Sequence, residues 1–435
     1  MFKKFVIAAL VFGIMCLFPA VFAIAADDSE LILKILIKKG VVTQQEVDEM
    51  RQEVTAEKAK AGVKAEAPKS LEDRVASVEK DLASKVGLEK AASKLKIKGR
   101  WAAGYYDSQE AGSFRSGSFE VPEGKIQFGF EPDEINKVIM RMNVNNATAQ
   151  TPLMDYFYVD SKVSKFFDLP FEVNSRLGRM KLDFGEETWS NNPVESVLAS
   201  NSAGNVAGSD EGAQLSGKFG KVHVLGWAVS VTNGTSGTGS DTTTPKSFVG
   251  KVSYNLLDPL YISGSYYNSG RLKASAPEMS IAGLSTLPSG ATDWERQMWE
   301  ADLRYDFEKG KTLVPAYCDS KAFIRLAYGQ VSDDVKEGTA AERDFDYGFV
   351  EGTYNITKKI YASARYSIVD LDNSTTTASL NSITANKYQR YSIGAGYRWS
   401  DATILKLGYD WNDEAGSDVS EARNDQLSAI VSSQF

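Results

Sequence analysis

Apolar and polar side chains alternate with a period of two in sixteen segments between Leu95 and Phe435, and no other feature of this chain limits its fold as tightly. Successive strand side chains point to opposite faces, so each segment needs an apolar neighbour on one side and a wetter one on the other. In the last segment Leu427, Ala429, Val431 and Phe435 share one face. Gln426, Ser428, Ser432 and Gln434 share the other, interrupted only by Ile430. The first sets Leu95, Ile97, Trp101, Ala103 and Tyr105 against Lys96, Lys98, Arg100 and Ala102. The others are expected at 125–130, 137–144, 154–163, 171–181, 213–219, 222–231, 247–256, 260–268, 294–307, 322–331, 345–356, 360–369, 388–399 and 403–411. Their connections alternate between tight turns, such as Leu257-Asp258-Pro259 and Ser400-Asp401, and long polar stretches, the longest being Asp183 to Gly212. An even strand count with short turns at one end and long loops at the other is the pattern of a closed transmembrane barrel. The expected fold is all-β, a 16-stranded antiparallel transmembrane β-barrel over residues 94–435, preceded by a small periplasmic α-helical region.

The start of the chain supports an exported protein. Lys3 and Lys4 precede an apolar run from Phe5 to Phe22 and small residues at Ala23 and Ala25, which describes a signal peptide over residues 1–25. Cys16 falls inside it and lacks the flanking small residue a lipoprotein signal needs, so Cys318 is the one remaining thiol and no internal disulfide can form. Residues 26–70 read as a helix pair and linker, with Gly40 ending the first helix and Thr43 and Glu46 forming a capping box on the second. Leu71, Val75, Val78 and Leu82 then make a helical stripe within residues 71–93, either a coiled-coil seam or one helix packed on a neighbour. No later apolar run reaches 18 residues, so no spanning helix is expected.

The chain carries a net charge of -8, yet the strand phase separates the signs. If apolar residues face lipid, the lumen receives Lys96, Lys98, Arg100, Lys125, Arg141, Arg176, Lys218, Lys251, Arg296, Arg304, Arg325, Arg365, Arg390, Arg398 and Lys406. The clearest matching acids are Glu300, Asp302, Glu351 and Asp410, and the remaining Asp and Glu concentrate in the long loops. Fixed cations in a water-filled, low-dielectric channel raise the local anion concentration, so an anion-preferring wall is expected. Loop carboxylates folded inward would cancel that field.

Other chemistry has little support. His223 is the single histidine, on a strand near the tight-turn end, and it has no second imidazole for a metal site and no identified nucleophile for a triad. No enzyme activity, metal, cofactor or nucleic-acid partner is expected, and the absence of Cys-x-x-Cys-His excludes covalently attached haem. Trp101, Tyr105, Trp294, Trp299, Tyr397, Trp399, Tyr409 and Trp411 lie near strand ends and are expected in the aromatic girdles.

The closing strand ending on Phe435 resembles that of bacterial outer-membrane proteins, in which a terminal Phe is read by the barrel assembly machinery. The tract Arg176-Leu177-Gly178-Arg179-Met180-Lys181-Leu182-Asp183-Phe184-Gly185, with the aromatic strand Asp155 to Asp160 before it, resembles the phosphate-selective porin O and P family, although Asp183 stands where that family has Pro. The resemblance covers the architecture of most of the mature chain and makes Arg179 and Lys181 motif residues. Strict alternation from Leu177, however, points Arg179 at lipid. It implies a homotrimeric porin in the outer membrane of a Gram-negative bacterium, in contact with lipid and lipopolysaccharide, its N-terminal region periplasmic. Small anionic solutes, phosphate among them, would pass by diffusion, and the loop after the fifth strand would narrow the pore. The rival reading is a structural barrel that sheathes a partner protein or anchors the outer membrane to the cell wall.

Overall fold

The computed structural model describes residues 94–145, 154–220, 223–234, 246–282, 288, 290–308, 312–340, 342–371, 378–380, 383–415 and 422–435. The signal peptide with Cys16, the helix pair and the helical stripe lie outside the described residues.

The strands are β1 (Leu95–Ser108), β2 (Ser118–Phe130), β3 (Asn136–Asn143), β4 (Met154–Ser161), β5 (Glu172–Lys181), β6 (Val206–Phe219), β7 (Leu225–Thr232), β8 (Ser247–Leu257), β9 (Leu260–Asn268), β10 (Met279–Ile281), β11 (Ala291–Asp306), β12 (Ala322–Gly338), β13 (Arg343–Asn355), β14 (Ile360–Leu371), β15 (Ala378–Leu380), β16 (Ile383–Ala385), β17 (Lys387–Arg398), β18 (Thr403–Ala415) and β19 (Gln426–Gln434). Two single-turn helices, α1 (Val163–Phe166) and α2 (Glu187–Ser190), interrupt the connections. Among the described residues, sixteen strands close a barrel of antiparallel neighbours, with β9 passing directly to β11 and β14 to β17. Closure joins β19 to β1, with Arg100 opposite Gln434, and Gly99 and Phe435 exchange backbone hydrogen bonds of 3.0 and 2.9 Å beyond that pair. The Phe435 ring lies over Gly99, where a Cβ would stand 2.2 Å from its Cζ.

Each expected segment becomes one barrel strand, but several run further. β2 begins at Ser118, β6 at Val206 and β11 at Ala291, and β12 continues to Gly338 through residues expected as loop. A spanning strand needs about 9–11 residues; β11 and β12 have 16 and 17, so their loop-side ends stand beyond what a bilayer requires. Charge concealed the extension, because Asp333 looks like loop sequence and instead lies fully buried between Arg296 and Arg343, at 2.6 Å from the first.

Two features depart from simple alternation. An apolar core fills part of the lumen: Val206, Val249, Tyr267, Met298, Val331, Phe345, Tyr347, Val369 and Tyr388 from the barrel strands meet Leu182, Phe184, Ala203, Met279 and Ile281 from the connections. Ile430, the odd residue on the polar face of β19, likewise packs inward on Ala102 and Tyr106. Trp294 is fully buried with Leu272 and Ala291, with the Arg296 guanidinium near its ring, and so leaves the expected girdle; Trp101, Trp299, Tyr397, Trp399 and Trp411 are exposed on the outside.

Candidate functional site: the constriction inside the barrel

The connection 182–205 between β5 and β6 turns into the lumen. Gly185, at φ +60°, makes the turn, and an added Cβ would meet the Glu300 carboxylate at 2.2 Å. Its amide donates to Ser265 Oγ at 3.0 Å, and Lys251 Nζ donates to its carbonyl at 2.8 Å and pairs with Glu186 at 2.9 Å. Past α2 the loop runs along the wall. Arg325 donates to Ser190 Oγ (2.9 Å), Lys406 to the Pro193 carbonyl (2.7 Å), Arg365 to the Ser200 carbonyl (2.6 Å) and Arg390 to the Asn201 carbonyl (3.1 Å). Tyr361 OH reaches the Val197 carbonyl, and the Ala203 amide donates to Ser367 Oγ, both at 2.9 Å.

A second inward segment lies at the tight-turn end. The β11–β12 connection carries a 3₁₀ turn, Pro315–Tyr317, whose Ala316 amide donates to the Glu195 carbonyl at 3.0 Å. Arg398 holds this segment through the Ala316 and Cys318 carbonyls, both at 2.9 Å. Arg304 pairs with Asp306 and reaches the buried Cys318 Sγ at 3.0 Å. The thiol is therefore enclosed.

These contacts divide the cations assigned to the lumen. Lys251, Arg296, Arg304, Arg325, Arg365 and Lys406 are buried and bonded to the loop, to wall carboxylates or to backbone carbonyls, and Arg390 and Arg398 are held in the same way. Inward carboxylates exceed the four recognised in the sequence. Glu123, Asp155, Asp160, Glu186, Glu187, Glu195, Asp306 and Asp333 all pair with strand cations.

The opposite side stays open. A cavity of about 310 Å³ lies between the loop and β1–β4 and is lined by Arg100, Lys125, Arg141, Arg179 and Lys181 with Glu123 and Asp155. A larger one of about 850 Å³ adjoins it at the Phe435 rim. It shares Arg100, Lys125 and Arg141 and adds Lys96, Lys98 and Glu195. Arg176 pairs with Asp160 at 2.6 Å and lies over the Tyr158 ring, and Lys218 lines a cavity of about 290 Å³ beneath the loop root.

Local irregularities aim the constriction side chains. The β3–β4 register slips between Arg141 and Met142, so Asp155 has no cross-strand partner and turns toward the lumen. Its carboxylate accepts from Arg141 Nε at 2.6 Å and lies 3.0 Å from Lys125 Nζ, while the Arg141 guanidinium lies 3.8 Å from the centre of the Tyr156 ring. Gly178, at φ +127°, precedes Arg179 and breaks the phase that leaves Leu177 exposed at lipid. Arg179 and Lys181 then line the same cavity, with Arg179 pairing with Glu211 at 2.9 Å. Sequence reasoning missed Glu123, Asp155 and Glu195. Glu123 was accessible, since it shares the phase of Lys125 two residues on; Asp155 needed the bulge and Glu195 the loop path.

Some donors at the constriction are spare. Arg141 uses only Nε, and its terminal nitrogens donate to no described residue. Arg100 uses Nε and Nη1, on Glu123 and Glu195. Lys181 bonds to the Thr188 carbonyl and to Asn191 Oδ1 and has no carboxylate partner among the described residues. Such groups can replace part of an anion's hydration shell as it passes. His223 lies exposed, its Nδ1 3.4 Å from the Asn255 carbonyl, outside this cluster.

A closed sixteen-stranded barrel with an inward loop and a charged constriction has the architecture of the outer-membrane porins. No protein-family model matches the sequence, and no curated protein matches it. Among solved structures the chain is similar to the outer membrane channel DcaP of Acinetobacter baumannii, with 12% identity and a TM-score of 0.53 over 78% of this chain and 97% of that one. It is also similar to OmpT, an outer membrane protein of Vibrio cholerae, in its trimer form, with 10% identity and a TM-score of 0.50 over 78% of this chain and 99% of that one. At these identities the likeness establishes the fold alone.

Proposed function

We propose that this protein is a porin of the Gram-negative outer membrane, through which small solutes diffuse passively and anions pass preferentially. The carrying observation is the constriction, where Arg100, Lys125, Arg141, Arg179 and Lys181 face Glu123, Asp155 and Glu195 and several donors remain spare. Phosphate is one solute of the right charge. Within this reading the subunits form a homotrimer, lipid and lipopolysaccharide surround it, and the barrel assembly machinery reads the β19 strand ending at Phe435. Residues 1–25 are the signal peptide, and residues 26–93 are periplasmic. The sheath alternative is disfavoured by the chain's own loop, which occupies the space a partner would need.

Planar-bilayer recording under a salt gradient tests this directly. A reversal potential of anionic sign is expected, and it should move toward zero in Arg141→Ala. A cation-preferring channel would overturn the anion reading, and absence of conductance would overturn the porin reading. Replacing chloride by phosphate then measures the solute, and native mass with and without residues 26–93 measures the assembly.

A further inference from the structure

A further cavity, of about 160 Å³, lies on the packed side of the lumen where α2 meets the β11–β12 connection. One part of its wall is apolar: the Trp189 indole, Leu313, Pro315 and Phe349. Trp189 and Leu313 are 40% and 59% exposed, although they belong to inward segments of a water-filled barrel. Exposed apolar surface of this kind is unfavourable at roughly 25 cal/mol per Å² until something covers it. A volume of about 150 Å³ is enough for a benzene ring.

The polar end of the pocket has a charge imbalance. Two cations line it, each with its own carboxylate, Arg304 with Asp306 and Arg325 with Glu351, and the lining carboxylate of Glu186 is paired with Lys251. Asp302, which lines the pocket and is 6% exposed, accepts from the Ser263 hydroxyl at 3.1 Å and the Glu186 amide at 3.3 Å and lies within hydrogen-bond reach of the Glu300 carboxyl. Among the described residues no cation stands within ion-pair distance of it.

We propose that this pocket is a binding subsite for a small organic ammonium ion carrying an aromatic ring. The ring lies against Trp189, Leu313, Pro315 and Phe349, and the ammonium donates to the Asp302 carboxylate. Burial of the ring supplies affinity, while the charge-assisted hydrogen bond selects the cation. The subsite is separate from the basic constriction and does not depend on anion preference.

The test uses the full chain in detergent, with benzylammonium as probe and benzoate as its charge-reversed counterpart. Saturation-transfer NMR should show the benzylammonium ring in contact with the protein. Asp302→Asn and Trp189→Ala should each lose most of that transfer, and Trp189→Phe should keep it. Benzoate transfer at this pocket should be weaker than that of benzylammonium, and the difference should vanish in Asp302→Asn. Equal transfer from benzylammonium in the parent and in a folded Asp302→Asn barrel would overturn the proposal, as would no transfer in the parent. Because NMR reads binding without conductance, this result stands apart from any failure of the porin reading.

Discussion

Arg141 and Arg325 occupy equivalent lumen-facing positions on opposite sides of the barrel, and their surroundings differ completely. Arg141 spends one nitrogen on Asp155, stacks on Tyr156 and faces an open cavity. Arg325 is buried, with Glu351 and Ser190 on its guanidinium. One side of the lumen is a water path, and the other is a protein interior assembled from loop and wall. Strand phase delivers a cation to the lumen in both cases. Whether it acts on solute or on loop depends on what lies across from it.

The largest expected effect comes from removing the partition itself. Replacing residues 186–203 with a short glycine link should raise single-channel conductance several-fold and weaken selectivity, because Arg325, Arg365, Arg390 and Lys406 would then face water. An unchanged conductance would show that the loop does not set the bore.

Next is Asp333→Ala, which removes the carboxylate shared by two buried guanidiniums, Arg296 and Arg343. Breaking a buried pair by removing one partner costs about 3–5 kcal/mol, so the midpoint of thermal unfolding should fall while selectivity stays unchanged.

A paired comparison sharpens the contrast between the two sides. Arg141→Ala should shift the reversal potential with little loss of stability, whereas Arg365→Ala, which loses Glu187, Glu351 and the Ser200 carbonyl, should lower stability by about 3 kcal/mol or more. The opposite pattern would break the division. Gly178→Ala should cost about 1–3 kcal/mol, since φ there is +127° and an added Cβ would stand 2.4 Å from the Phe157 carbonyl.

The smallest effect belongs to Glu278, in the connection between β9 and β11. Burial raises its carboxyl above the ordinary glutamate range, although Ser247, Tyr267 and Thr232 donate to it. A carboxyl raised in the folded state binds its proton more tightly there than when unfolded. Its contribution is therefore full below the ordinary glutamate range and is lost as pH rises through the raised value. Glu278→Gln should flatten that part of the pH–stability profile.

The sequence reading placed the sixteen strands and their closure from β19 to β1, because alternation is local and repeats. It also carried an unused signal: Phe345, Tyr347 and Phe349 share a phase with Glu351, so the lumenal face of β13 is apolar, and apolar surface facing inward calls for a cover. The constriction was less legible. Arg179 needed the positive φ at Gly178, Asp155 needed a register slip, and Trp294 was assigned by its position near a strand end alone.

By itself, the sequence determined the barrel and the regular alternation of its strands, since a period of two follows from backbone geometry within a few residues. Only the tertiary structure decided which cations meet water. That depends on the path of residues 182–205 across the lumen, and the path is set by hydrogen bonds and apolar contacts between residues far apart in the chain.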